Sequence, residues 1–418
     1  MNNADKWYFF YDEAFHDRKI DVTKDNKINI YKNDASDIYV GTFIGCKKEK
    51  LKILYRQFKV FENKFIKKFN LNQELKGTTI RKKNFKYGIQ SFNRDALEFY
   101  EEYFEILDNN LMFNIVMLSK TSLFISEVFK DIRTNVEYNR QAFKYSLIKF
   151  LYNYRYMNLL LELFQENKRI NSYRIIKMLL ELLGKVIENI NGVKKKEREL
   201  RALKQMKNIL KKSDLVTYSK TQYLWNYDEV LDGFNLMLQS IGVEQENVHL
   251  HIDREQRTFE AAINNGKYIS IKQDNSKEVA AIRISDILSN FIGRTILAME
   301  ENLHEIEIND IKDLNKIDYE TKRLLDPEWF DLDERRFIMY KKIYNIFIPL
   351  MDKYEWITYG SIFFDYSTLF FCLIQYIGIK ESYEQFKQIT PEMHSEYFNT
   401  YSCSALNLRY EEEFSKYK

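Results

Sequence analysis

Strand-like patterning occurs in two blocks of this 418-residue chain, kept apart by a helical stretch from Ser122 to Ile241 that is too long to be a loop. The layout calls for a sheet whose strands come from both blocks, with a helical subdomain inserted between them. In the first block, Trp7 to Tyr11 is an aromatic run ending in Asp12-Glu13, Lys27 to Tyr31 alternates charged and apolar residues, and Ile38 to Cys46 is rich in β-branched and aromatic residues. Short polar turns between these segments predict an antiparallel meander. Leu51, Leu54, Tyr55, Phe58, Phe61, Phe65 and Phe69 then recur at helical spacing with lysines between them, as on an amphipathic helix packed against a sheet. A second helix is predicted over Arg94 to Leu107 and a fourth strand over Phe113 to Leu118, the beginning of a βββαβ order. The second block has strand character at Val248 to Asp253 and Tyr268 to Lys272, followed by helix from about Val279 to Leu297.

Within the insertion, Ala142 to Phe164 carries a dense apolar stripe, Glu197 to Lys212 is strongly charged, and Gln222 to Leu238 is amphipathic. After residue 300 the pattern is helical to the end, with Thr390 and Pro391 as N-cap and first residue of one helix. The expected fold is α/β: a mixed-sheet core in two parts, 1–122 and 242–300, a helical insertion over 123–241 and a helical C-terminal domain over 301–418. Apolar residues at 45% and charged residues at 30% suit a soluble globular chain. The formal charge of +3 is a small difference between 64 basic and 61 acidic side chains, so a nucleic-acid partner must be met by local basic patches. Cys46, Cys372 and Cys403 are far apart and lack the close pairing of zinc sites or disulfide scaffolds, which fits a reducing cytoplasm. No basic stretch leads into an apolar run at the N-terminus, and the most apolar window, Tyr366 to Ile379, is too short to cross a bilayer. A cytoplasmic protein without a membrane partner is therefore expected.

Four acidic residues occupy positions that solvation alone does not explain. Asp12 closes an apolar strand in phase with Tyr8 and Phe10, and Asp253 closes another in phase with His249 and His251. Asp286 lies in a helix whose Ile284, Ile287, Leu288 and Phe291 face the core, with Ser289, Asn290 and Gly293 on its flank. Glu74 sits in Gln73-Glu74-Leu75-Lys76-Gly77, where the glycine permits a sharp turn over the sheet edge. If these carboxylates meet, two charges about 4 Å apart repel by about 4 kcal/mol at an effective dielectric of about 20. Upward pKa shifts or a hard cation such as Mg²⁺ or Mn²⁺ would relieve that repulsion. Two such ions about 3.5 to 4 Å apart support in-line attack on a phosphodiester.

Each residue also has an ordinary explanation. Asp12 can cap a turn, Glu74 can be a solvated turn residue, Asp253 can pair with Arg254 or Arg257, and Asp286 can bridge to Arg283 one turn earlier. None of these accounts for the set. His249 reads as a satisfied core or surface histidine, His251 as a candidate for orienting water or the scissile phosphate, and His16 as a weaker one. Lys76, Arg81, Lys82, Lys83 and Lys86 follow Glu74 directly and suit contacts to a phosphate backbone. A second basic run from Lys194 to Lys207 is interspersed with Glu197 and Glu199, as on a solvated helix face.

The order of these motifs resembles the prokaryotic family catalogued as domain of unknown function 3800, regarded as ribonuclease H-like. They are Asp12-Glu13 closing the first strand, Glu74-Leu75-Lys76-Gly77 after the first long helix, Asp253 ending a late strand, and Ile282-Arg283-Ile284-Ser285-Asp286-Ile287-Leu288. The family's first motif is typically Asp-Glu-Ser-Gly, and this chain has Ala14 and Phe15 in the last two places. By resemblance, Asp12, Glu74, Asp253 and Asp286 are the metal-binding carboxylates, and Ser276-Lys277 matches a pair found before the final helix. The likeness covers residues 1 to about 122 and 245 to 300. It implies a nuclease holding two Mg²⁺ or Mn²⁺ ions, with Lys76 and His251 assisting at the phosphate, in a setting of defence against phage or mobile elements. A homo-oligomer or a partner protein is expected to use the C-terminal helices. Two other functions stay open: a nucleic-acid-binding or assembly subunit without turnover, and a metal-dependent phosphohydrolase acting on nucleotides.

Overall fold

The computed structural model describes residues 6–15, 37–108, 111–129, 132–154, 156–164, 172–215, 227–303 and 308–415. The strand expected over 27–31, the start of the helix expected at 222, and His16 lie outside them. The strands are β1 (Trp7–Ala14), β2 (Ile38–Lys47), β3 (Lys86–Ile89), β4 (Met112–Ser119), β5 (Ile132–Thr134), β6 (Ser213–Leu215), β7 (Val248–Ile252), β8 (Ser270–Gln273) and β9 (Thr358–Gly360). Helices in the first half are α1 (Lys48–Lys68), α2 (Arg94–Leu107), α3 (Lys120–Val128), α4 (Arg140–Tyr154), α5 (Met157–Phe164), α6 (Ser172–Ile190) and α7 (Glu197–Lys211). Those that follow are α8 (Asp228–Ser240), α9 (Gln256–Asn265), α10 (Ala280–Asn302), α11 (Glu334–Lys353), α12 (Asp365–Gly378), α13 (Tyr383–Phe386) and α14 (Pro391–Ser415).

A six-stranded mixed sheet in the order β8-β7-β1-β2-β4-β9 organises the chain. β2 runs antiparallel to both β1 and β4, whereas β7 is parallel to β1 and β8 is parallel to β7. β1 is therefore the seam between an antiparallel and a parallel half, and β1, β7 and β8 end at the same edge. Strands from both sequence blocks meet in one sheet, as the patterning requires.

Period-two alternation sends Phe9 and Tyr11 to one face and Phe10 to the other. Phe9 and Phe43 are covered by Phe234 of α8, whose ring stacks on Phe43 at 4.1 Å and meets Phe9 edge-on at 4.9 Å. The opposite face carries α1 and α10. In α1, Leu54, Phe58, Phe61 and Phe65 are the buried stripe, at the spacing that puts them on one side of a helix. α10 is buried almost all round from Ala281 to Met299, as expected of a helix lying between layers rather than on a surface. Polar bonds fix its height: Ser285 Oγ donates to the Phe10 carbonyl at 2.8 Å, and Thr42 Oγ1 donates to the Ser285 carbonyl at 3.0 Å.

The helical stretch after Ser122 divides. α4 to α7 form the insertion, and the antiparallel pair β5–β6 joins its two ends. α8 instead returns to the sheet face. The region after residue 300 is mainly helical, and Met393 N–H donates to Thr390 Oγ1 at 3.4 Å at the predicted helix start. One correction applies to the expectation of helix throughout: β9 adds to the sheet, parallel to β4. Its run Ile357-Thr358-Tyr359 is β-branched and aromatic, which favours a strand where an edge is open. Among the described residues no helix is long and apolar enough to cross a membrane.

Asp37 ties these parts together without any exposure to solvent. Its carboxylate accepts from Ser119 Oγ at 2.6 Å, from Thr121 N–H and Oγ1 at 2.7 Å each, and from Tyr366 OH at 3.0 Å, so β4, α3 and α12 share one acceptor. Asp37→Ala would strand those donors in a dry site, and we expect a loss of about 3 kcal/mol or more. Urea unfolding followed by circular dichroism measures it, with Asp37→Asn losing less.

Candidate functional site

Adjacent parallel strands place the first two aspartates side by side. The register pairs Tyr11 with Ile252, and Asp253 N–H donates to the Tyr11 carbonyl at 3.2 Å, so Asp12 and Asp253 are the next residues on neighbouring strands; β7 ends before Asp253, whereas β1, expected to close at Asp12, continues to Ala14 because β2 pairs with it that far. Both fall on the face that carries Phe10 and α10. Because Ser285 is bonded to Phe10, the next residue of α10, Asp286, is delivered to the same place. All three carboxylates are partly buried and retain access to solvent.

Their charges act on one another. Burial raises the Asp12 carboxyl well above the usual range, and Asp286, Asp253 and Glu13 raise it further, against one stabilising N–H from Glu13. Burial likewise pushes Asp286 up to about 6, with Asp253 adding to the shift while the Gly77 N–H, Lys76 and Arg294 oppose it. Convergence of Asp12, Asp253 and Asp286 is the geometry anticipated from the sequence. None of the ordinary pairings forms among the described residues: Arg283 turns away from Asp286, and no ion pair joins Asp253 to Arg254 or Arg257.

The Glu74-Leu75-Lys76-Gly77 element docks on α10. Gly77 N–H donates to Asp286 Oδ2 at 2.8 Å, and Asn290 Nδ2 donates to Asp286 Oδ1 at 2.7 Å. A Cβ at position 77 would collide with the Asp286 carbonyl and the Asn290 side chain, so the glycine is required for this approach. Glu74 itself takes another course. Its side chain is only 7% exposed, lies 3.7 Å from Arg283 Nη1 and 3.6 Å from Lys76 Nζ, and accepts no hydrogen bond. Arg283 also pairs with Glu62 at 2.6 Å and donates to the Ser276 carbonyl, while Ser276 N–H donates to Asp253 Oδ1 at 3.1 Å. Glu74 thus belongs to an arginine-centred network next to the aspartates and does not join them.

His251 sits on the face of Asp253, and its Nδ1 lies 2.5 Å from Asp274 Oδ2. Asp274 escaped the sequence reading although the signal was present: it follows β8 as Asp253 follows β7, and Asp274 N–H donates to the Ile252 carbonyl at 2.8 Å. Lys76 is exposed beside Asp286, and Arg81, Lys82, Lys83 and Lys86 are exposed beyond it, with Lys82 paired to Glu301 at 2.7 Å. The Ala14-Phe15 departure has a physical signature. Phe15 adopts φ 65°, the left-handed region that favours glycine, and its ring fills the space above Gly293.

Among the described residues no three His, Cys, Asp or Glu side chains are gathered tightly enough to form a ready-made metal cage. The donor chemistry nevertheless suits a hard divalent cation. Asp12 Oδ1 and Asp253 Oδ1 each accept one backbone N–H, while among the described residues neither Oδ2 receives a hydrogen bond. Comparison of the chain with models of known families, with curated proteins and with solved structures yields no match.

Raised carboxyl pKa values have a sign. At this site the folded chain holds protons that the unfolded chain has released, so the contribution of Asp12 and Asp286 to metal-free stability is most favourable at acidic pH and falls as pH rises from about 4 through the region of 6. Thermal unfolding in chelator at pH 5 and pH 8 checks this. Asp12→Asn should raise the midpoint at pH 8 by a few degrees and leave it nearly unchanged at pH 5.

Proposed function

We propose that the chain is a divalent-metal-dependent nuclease with a ribonuclease H-like core. The observation that carries the reading is the convergence of Asp12, Asp253 and Asp286 from two adjacent strands and one buried helix. The sheet supports the fold part of it, since an antiparallel β2–β4 side and a parallel β7–β8 side meet at the acid-bearing β1. The order of the motifs, which resembles that of the family catalogued as domain of unknown function 3800, is a second support.

In this reading Asp12 and Asp253 would hold the cations, and Asp286 would add charge while its bonds to Gly77 and Asn290 fix its angle. Two Mg²⁺ or Mn²⁺ ions, when bound, would supply Lewis-acid stabilisation and water activation for phosphodiester cleavage. Lys76 neutralises the phosphate beside Asp286, Arg81, Lys82, Lys83 and Lys86 hold the backbone further along, and His251, steadied by Asp274, orients water or the scissile phosphate. A role against phage or mobile elements follows from the kind of family resembled, a cytoplasmic setting from the scattered cysteines, and a second copy or partner would use the C-terminal helices.

One observation favours a different reading, a nucleic-acid-binding subunit without turnover: the charge of Glu74 is already taken up by Arg283 and Lys76. Labelled single- and double-stranded DNA, RNA and hybrid, incubated with Mg²⁺, Mn²⁺ or chelator, separate the two. We expect metal-dependent cleavage that drops by about 100-fold or more in Asp12→Asn and in Asp253→Asn. Cleavage retained in both variants would falsify the assignment. Binding without cleavage would establish the subunit reading, and hydrolysis of free nucleotides alone would identify a phosphohydrolase.

A further inference from the structure

The outer side of α14 is apolar where a surface helix is ordinarily charged. Its inner side is covered, with His394, Ser395, Phe398, Ser402 and Phe414 buried. On the opposite side Met393, Tyr397, Tyr401, Ser404 and Leu408 recur at three- and four-residue spacing, and all of them are exposed. Among the described residues twelve large apolar side chains stand exposed, and five cluster here: Met393, Tyr397, Tyr401, Leu408 and Ile379, the last at 63%. Arg409 donates to Ser367 and Thr368 while Tyr376 OH lies 2.8 Å from His394 Nδ1, so α12 and α14 run antiparallel. Ile379, at the end of α12, is thereby level with the first turns of α14. From Tyr397 to Leu408 no residue is charged, in a chain of which 30% is. A helix apolar on two sides is ordinarily covered on both, and clustered exposed apolar side chains mark an interaction surface.

The ends of this face carry opposite charge. Glu411, Glu412 and Glu413 are exposed near the C-terminus of α14, and no basic residue occupies the last turn, so the negative end of the helix dipole has acid beside it and nothing to oppose it. At the other end Lys380 Nζ lies 5.5 Å from the centre of the Tyr376 ring, whose hydroxyl is the one bonded to His394 in the first turn of α14. The neighbouring acids there are accounted for: Glu396 pairs with Lys322 at 2.6 Å, Glu384 with Lys387 at 2.7 Å, and Glu392 sits in the first turn, where the dipole favours it.

We propose that this face is a homodimer interface, in which the α14 helices of two copies pack antiparallel about a two-fold axis level with Ser402 and Cys403. The face is self-complementary in that arrangement, as a two-fold contact requires. Tyr401 falls opposite the partner's Ser404, a large side chain against a small one, and Tyr397 falls opposite the partner's Leu408. Glu411 and Glu412 come alongside the partner's Lys380 and the positive end of the partner helix, which supplies the charge that their own helix lacks. A lipid surface fits poorly, because the uncharged stretch offers no cations to headgroups. A helix of 25 residues is about 37 Å long, so the face reaches at most about the 800 Å² per partner of a standard interface, and a dimer of about micromolar affinity is expected. The inference gives an identity to the partner expected at the C-terminal helices. It is independent of the nuclease reading, since its test measures mass and needs no cleavage.

Sedimentation velocity of the full chain, from about 1 to about 100 μM, tests the interface and should show monomer giving way to dimer as concentration rises. Tyr397→Glu and Leu408→Glu, both at exposed positions, should each weaken the dimer by about 100-fold or more while the thermal midpoint stays unchanged. Ser404→Arg, which fills the place opposite Tyr401, should do the same. Lys380→Glu should weaken the dimer by about tenfold, because the two-fold axis counts the change twice, and adding Glu411→Lys and Glu412→Lys to the same chain should restore it. A wild type that remains monomeric at about 100 μM overturns the proposal, as does a dimer that keeps its affinity in Tyr397→Glu, Leu408→Glu and Ser404→Arg. Failure of the charge swap to restore Lys380→Glu overturns the antiparallel pairing. A dimer that dissociates in these variants supports the interface whether or not the chain cleaves nucleic acid.

Discussion

The bond from the Ser285 hydroxyl to the Phe10 carbonyl is the contact on which the arrangement of this molecule turns. It joins the central strand of the sheet to a helix that is buried on nearly every side, two elements some 275 residues apart in sequence. A long buried helix tolerates little sliding, because closely packed apolar neighbours resist displacement in every direction. The polar contact therefore sets register, and packing holds it. One residue beyond Ser285 stands Asp286, and two beyond Phe10 stands Asp12, so the same bond that seats the helix sets two acidic groups face to face.

The folded chain accepts that electrostatic cost at a place where it also opens to solvent. Burial raises both carboxyls, their mutual charge adds to the effect, and the stabilising groups supplied by the protein are a few N–H donors and the peripheral cations Lys76 and Arg294. Glu74, expected as a fourth member, has its compensation from Arg283 and Lys76. The two sets differ in compensation: Glu74 has cations of the protein beside it, whereas Asp12 and Asp286 keep raised pKa values.

Much of this was legible in the sequence because it depends on local periodicity. The strand runs before Asp12 and Asp253, the aromatic stripe of α1 and the apolar density of α10 each announce themselves within a dozen or two residues. The site was legible for the same reason, since a strand-end aspartate inherits its face from the residues before it. What the sequence concealed depends on partners distant in the chain. Glu74 meets Arg283 across more than 200 positions, and β9 is a three-residue strand whose existence rests on an edge supplied by β4. Helix α8 reads as one more insertion helix until the ring of Phe234 is found on Phe9 and Phe43. Asp274 was concealed differently: the strand before it is short and mostly polar, and too weak a pattern to draw attention to its end.

The late position of β9 bears on how the molecule comes into being. Ile115 to Met117 of β4 find their outer neighbours only at Thr358 to Gly360, more than 200 residues later in the chain. A nascent chain emerging from the ribosome would hold an uncapped β-edge for most of its synthesis, the kind of surface that pairs with whatever strand comes first. Completion of the sheet in that sense comes late. A shortened chain ending near residue 303 would carry every aspartate of the candidate site and still present its neighbours with an adhesive flank.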